Sequence, residues 1–307
     1  MTGNDDRTTM CERWVDEVTC VGCDPQKTSL ICNALFSSLP DIHHVVDLPK
    51  TDNERSLIIE TVAAANDLLP KLGLPDSPIS EARIHILADD EFDAKFGHRC
   101  RGKCAYSHVY LRRQTDLVDF AHKLTHELAH LLSFLAIEVT AATQSDDSRD
   151  LQILPRRSGL SLYGLEPAMD DPLFNGLNEA MTEIVAHDLR LGLAEHSQIL
   201  SPDDLRLLAK SWLYLPQIKI VLYLRNQLLE ADPDSNPQRE LHQDYLAGTS
   251  RFLNRLYAHN RPALLLLRTM GTKPDEAFRA ADALGCPEIM DDIRHFYDQE
   301  PDPQPPK

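Results

Sequence analysis

The chain runs to 307 residues, 42% of them hydrophobic, with 48 Asp and Glu against 31 Lys and Arg and a formal charge of −17. That length holds one large domain with appended helices, or two domains of ordinary size. So large an acidic excess speaks against nucleic acid and anionic bilayers as main partners, because both demand a basic face. Its plain role is solubility.

Residues 1–50 read as an irregular, Cys-containing leading segment. The first sixteen residues are polar and acidic, with no apolar run behind a basic start, so no secretory signal is expected. The most apolar stretches, such as 131–142, are too short to cross a bilayer, and the expected compartment is the cytoplasm. Cys11, Cys20, Cys23 and Cys32 form a symmetric C-x8-C-x2-C-x8-C pattern, Cys100 and Cys104 a C-x3-C pair, and Cys286 stands alone. An odd count without an export signal predicts reduced thiols. The symmetric pattern leaves a structural zinc open, although it lacks the two close pairs of a zinc ribbon. His43 and His44 read as a surface pair.

Residues 51–200 carry the pattern of the main folded core. Apolar positions Leu57, Ile58, Val62, Ala65, Leu68 and Leu69 recur at helical spacing and predict an amphipathic helix over 53–72. Polar and apolar residues alternate over 82–88, the period of a half-buried strand. A short acidic helix and a turn at Cys100 to Cys104 follow, then a second strand over 105–112. In it Ser107, Val109 and Leu111 share one face, and Tyr106, His108 and Tyr110 the other. A helix over about 116–137 is apolar around most of its circumference, and a helix of that kind belongs to a core. Residues 141–171 read as loop with a short strand near 158–162, and a second core helix spans 175–191, capped by Asn175. From 201 to 299 the pattern is helical, with helices over 203–213, 216–229 and 237–257 and shorter ones after them. The Pro-rich residues 300–307 form a frayed tail. The predicted class is α+β, a small early sheet followed by helices.

The informative segment is His126-Glu127-Leu128-Ala129-His130. Positions four apart on a helix lie one turn above each other, so both imidazoles can reach one zinc ion. Glu127, offset by one residue, can reach water on the metal without binding the ion. Two histidines and a glutamate on a buried helix are costly unless a metal or other partners satisfy them. A catalytic zinc needs a third protein ligand, and the H-E-x-x-H-x-x-G-x-x-H continuation is absent, with Ser133 and Ala136 in its last two places. The best source is Asn178-Glu179-Ala180-Met181-Thr182-Glu183, where Glu179 and Glu183 share a helix face. A ligand set of Glu183 with His187 is an alternative, but it would leave Glu179 buried and unpaired.

An H-E-x-x-H helix followed by an N-E-x-x-T-E helix resembles the gluzincin branch of the zincins, both the thermolysin-like enzymes and the small minigluzincins. The motifs cover some fifteen residues, and the zincin-like fold they imply covers roughly 80–193. The resemblance implies that Glu179 is the third zinc ligand and that Glu183 accepts a hydrogen bond from His126. It also implies that the strand over 105–112 forms the upper edge of a cleft where a substrate peptide adds as a further strand. His130 and Glu179 are 49 positions apart, farther than in thermolysin, so an extra segment lies between the two helices. For the Tyr or His that stabilises the oxyanion in that family, the sequence offers Tyr214, His242 and Tyr245. His98, beside Cys100 and Cys104, reads as part of a turn, and His122 as a packing or hydrogen-bonding residue.

The expected activity is peptide hydrolysis by a zinc metallopeptidase acting on a peptide or protein substrate, with Glu127 as general base. Two rivals stay open. One is a zincin-fold, zinc-binding regulator with little or no proteolysis, which the intact Glu127 disfavours. The other is an interaction protein working through its cysteine segment.

Overall fold

A computed structural model describes residues 45–74, 78–98, 100–105, 108–141, 151–163, 172–286 and 290–291; over 137–141 and 151–155 it describes the backbone alone. Cys11, Cys20, Cys23, Cys32, His43, His44 and the tail lie outside the described residues. Among those residues the fold is α+β and mostly helical, with ten α-helices and two three-stranded sheets. None of the described helices is long and apolar enough to cross a membrane.

Helix α1 spans Asp52–Lys71, one residue displaced from its expected position. It starts at Thr51, whose hydroxyl accepts from Glu54 N while the Glu54 carboxylate accepts from Thr51 N, a reciprocal cap. A 3-10 turn, Glu81–Arg83, leads into β1, Ile84–Leu87, and helix α2, Asp89–Phe96, follows. Strand β2 is Gly102–Ala105 and β3 is His108–Arg112. The order is β1-β3-β2, with β1 parallel and β2 antiparallel to β3. Ile84, Ile86, Val109 and Leu111 face the main core, while Leu87 and Tyr110 pack with Phe92 of α2 on the other side.

The order corrects the expected cleft edge. The strand at the 105–112 position is central, and the edge falls to β2, in the segment that the C-x3-C spacing made look like a turn. The Arg112 N–H donates to the Arg101 carbonyl at 3.1 Å, which sets the alternation of the antiparallel ladder. Lys103 and Ala105 therefore face β3, and the backbone groups of Gly102 and Cys104 point outward. The Cys100 thiol donates to the Gly102 carbonyl at 2.7 Å.

Helix α3, Leu117–Leu132, opens at Asp116, whose carboxylate accepts from Val118 N and Asp119 N. It is shorter than the expected 116–137. Residues from Leu135 onward form β4, Leu135–Ala141, paired antiparallel with β5, Leu151–Ser158, which continues into β6, Ser161–Leu162. The β-branched residues Ile137, Val139 and Thr140 suit a strand, and cross-strand pairing overrides the helical periodicity that seemed to run on. Pro155, which has no N–H to donate, sits opposite Ile137 where the register shifts. Within the expected loop over 141–171, residues 151–158 and 161–162 are thus strand.

Helix α4, Asn175–His196, is longer than expected and is not capped by Asn175. Phe174 takes the cap position in a left-handed conformation, φ 61°, without a side-chain cap bond. The remaining helices are α5, Pro202–Lys210; α6, Leu215–Ala231; α7, Pro237–Leu246; α8, Arg251–His259; α9, Arg261–Thr269; and α10, Pro274–Ala283. The expected single helix over 237–257 is broken at Gly248, φ 69°, where a Cβ would strike the Phe134 ring at 2.6 Å. Helix α4 is the hub of the fold, packing against α1, α3, α5, α6, α7 and α9.

Gly176 sets how deeply α4 sits. Its N–H donates to the Met270 carbonyl at 2.8 Å, and a Cβ there would lie 2.8 Å from that oxygen and closer still to the Gly271 carbonyl. Propensity alone would make Gly176→Ala stabilising by about 1 kcal/mol. Collision with rigid backbone should instead destabilise by about 1–3 kcal/mol. Thermal unfolding of the variant gives the sign, and a raised midpoint would show that the contact relaxes freely.

Candidate metal centre

Helices α3 and α4 pack face to face, and their contact surface carries the ionisable groups singled out in the sequence. His126, Glu127 and Glu183 are buried, while His130 and Glu179 keep a little exposure. The Nε2 atoms of His126 and His130 each lie 3.5 Å from the same oxygen of Glu179, Oε2. One ligand atom from each of the three residues falls within 4.8 Å of the other two. Zn–ligand distances of 2.0–2.1 Å in a tetrahedron place ligand atoms about 3.3 Å apart, so this donor set and spacing fit zinc. It is the only such group of three among the described residues.

Each imidazole is oriented from behind, by different chemistry. His126 Nδ1 lies 2.9 Å from Glu183 Oε2, and an Nδ1–H donated there leaves Nε2 free to bind. His130 Nδ1 lies 3.3 Å from Thr182 Oγ1, which lies 2.8 Å from the Tyr245 hydroxyl. The Tyr245 hydroxyl in turn donates to the Ala129 carbonyl at 3.0 Å. An anion thus backs one histidine and a chain of neutral hydroxyls backs the other.

Electrostatics follow from this crowding. Burial alone would lower the His126 pKa, but hydrogen bonds to Glu179 and Glu183 and the Glu127 charge outweigh it and raise the value to about 10. A metal bound there would compete with a proton for His126. Burial would raise the Glu179 carboxyl, yet the His130 charge and the bonds to both histidines hold it well below the usual carboxylate range. Burial likewise opposes the Glu183 carboxylate, and hydrogen bonds from His122 and His126 with the Arg190 charge keep it ionised.

Glu127 lies under β2. A Cβ on Gly102 would fall 2.8 Å from Glu127 Oε1 and 2.9 Å from its Cγ, so only glycine leaves the carboxylate its place against the edge strand. Burial, and then the Glu127 charge, push the Cys100 and Cys104 thiols above their ordinary values. Both are free thiols, as is Cys286.

The three candidates for an oxyanion donor separate cleanly. His242 is occupied by the Gln238 carbonyl at 2.8 Å and by Asp188 at 3.2 Å. Tyr245 is fully buried with its hydroxyl committed behind His130. Tyr214 is at the centre itself: its ring stacks over His126 at 6.0 Å. Burial and the charges of Glu179, Glu127 and Glu183 raise its pKa, so it remains a hydrogen-bond donor. It holds a left-handed conformation, φ 53°, a strain of about 1–3 kcal/mol of the kind that collects at functional sites.

Other expectations resolve too. Glu183 and His187 are not brought together, since His187 stacks on Trp212 at 4.1 Å and bonds to the Ala209 carbonyl. His98 pairs with Asp93 at 2.6 Å at the surface. His122 lies 3.4 Å from Glu183 Oε1, on the same carboxylate as His126. Sequence reasoning missed Gly102, Thr182 and Arg190. Thr182 stands inside the N-E-x-x-T-E motif, and Arg190, seven residues after Glu183, is a lone cation on an apolar helix face; either position could have drawn notice.

Thr182→Val keeps the shape and removes the hydroxyl behind His130. Zinc affinity, measured by competition with a chelator, should fall by about 10- to 100-fold, the usual cost of losing an outer partner. Affinity equal to the unmodified chain would show that Thr182 does not orient His130. Compared with protein-family models, curated proteins and solved structures, the chain matches none of them.

Proposed function

We propose that the chain is a zinc metallopeptidase of the gluzincin type, with a zincin-like arrangement of sheet, histidine helix and glutamate helix. The observation that carries this reading is the His126, His130 and Glu179 cluster with one further carboxylate, Glu127, held beside it under an open sheet edge. Zinc bound there would supply a Lewis acid that polarises a carbonyl and lowers the pKa of adjacent water.

The chain's own residues supply the rest. The outward backbone groups of Gly102 and Cys104 can pair with an extended peptide, which adds to β2 as a fourth strand. Main-chain pairing of this kind fixes the direction of the peptide and brings a scissile carbonyl over Glu127. Glu127 takes the proton of the attacking water and passes it to the leaving amine. Tyr214 donates its hydroxyl hydrogen to the carbonyl oxygen as charge develops there, the task of an oxyanion donor.

Glu127→Gln is the deciding experiment, because it keeps size while removing basicity. Purified protein should carry about one zinc per chain at this site. The variant should keep that zinc and its melting temperature while hydrolysis of a broad peptide library falls at least about 100-fold. A variant that kept its zinc and cleaved as fast as the unmodified chain would rule the mechanism out. An unmodified chain that held zinc and cleaved nothing would favour a zinc-binding regulator.

Tyr214→Phe separates transition-state from ground-state roles. Loss of one oxyanion donor should lower kcat by about 100- to 1,000-fold with little change in KM or zinc content. A change confined to KM would place Tyr214 in substrate binding instead.

A further inference from the structure

Arg190 stands two turns beyond Glu183 on the same face of α4 and is buried with its side chain wholly covered. Its Nη2 donates to Glu183 Oε1 at 2.7 Å and to the Ser211 carbonyl at 3.0 Å, while Nε and Nη1 have no partner among the described residues. The same Glu183 oxygen accepts the Leu213 N–H at 3.1 Å. The guanidinium lies 5.9 Å from the centre of the Trp212 ring. Ser211, Trp212 and Leu213 are thus each held by Arg190 or Glu183, and the next residue is Tyr214, stacked on His126.

We propose that Arg190 is a positioning residue that locks the metal ligand His126 and the turn bearing Tyr214 into one unit. The inference rests on the metal-centre reading and deepens it. On one side, Arg190 holds the Glu183 carboxylate whose other oxygen orients His126. On the other, it joins Glu183 in fastening the backbone of residues 211–213. A buried ion pair is often no more stabilising than apolar side chains of the same volume, so stability alone gives no reason for it. What the pair adds is direction, since two charged groups with fixed hydrogen bonds hold their neighbours at set angles. His122, on the same carboxylate, completes the set of groups facing Glu183 from α3.

The turn carries its own reporter. Trp212 is one of two tryptophans, so Trp14→Phe leaves it as the sole indole. In that background, zinc affinity is measured by chelator competition, and Trp212 emission is recorded with and without zinc. Arg190→Met should weaken zinc binding by about 10- to 100-fold and shift the zinc-free emission to longer wavelength. Arg190→Lys, which keeps a cation for Glu183, should recover part of both. Should Arg190→Met fail to fold because Glu183 loses its cation, Arg190→Lys carries the test, since it keeps the charge but not the forked hold on Glu183 and Ser211, and it should show both losses in smaller measure. Wild-type zinc affinity in either folded variant would overturn the link to His126, and unchanged emission would overturn the link to the turn. A Trp14→Phe chain with Arg190 intact that took up no zinc would overturn the metal-centre reading instead, while the zinc-free emission would still judge the hold of Arg190 on the turn.

Discussion

Everything at the centre depends on a single constraint: ionisable groups trapped between two packed helices must find partners there. An unpaired buried charge costs several kcal/mol, far more than any one apolar contact returns. Helices α3 and α4 meet that constraint by placing each imidazole opposite a carboxylate or a hydroxyl. The pairing selects one axial offset between the helices. A slide of one turn would separate Glu179 and Glu183 from some of their present histidine partners. The ridge-and-groove packing of Leu124, Leu128, Leu177 and Ala180 supplies cohesion, and the polar set supplies register.

Much of this was legible in the sequence, and the reasons differ by element. The H-E-x-x-H spacing is a local consequence of helical geometry, so both histidines and Glu127 could be placed without knowing the fold. The resemblance to gluzincins pointed to Glu179 and Glu183, and the structure does bring them to His126 and His130. Harder to see were contacts that join distant segments. Tyr214 could not be told from His242 or Tyr245, because the αL turn at its position has no sequence signature. The β4–β5 hairpin was hidden because the apolar run after Leu132 fits a helix as well as a strand, and only a partner strand decides between them. The edge role passed from β3 to β2 for a similar reason: strand order is a property of the assembled sheet.

The two histidines are not equivalent donors. A carboxylate, Glu183, backs His126 and raises its basicity, whereas a neutral hydroxyl, that of Thr182, lies behind His130. Loss of Thr182 and loss of Glu183 are therefore different perturbations, one chiefly geometric and the other also electronic.

The hairpin between the two helices bears on how the chain assembles. Gly159 N–H donates to the Phe134 carbonyl, so the two ends of the β4–β5 excursion meet beside the end of α3. Asn178, just before Glu179, accepts the N–H of Leu160 at 2.9 Å and fastens that junction to α4. A long separation in sequence is thereby short-circuited by antiparallel pairing between near neighbours. Hairpins close in microseconds, and a search shortened in this way loses less chain entropy before tertiary contacts form. Closure of this hairpin, like the drawing of a zipper, shortens the path that separates His130 from Glu179 before the two helices dock.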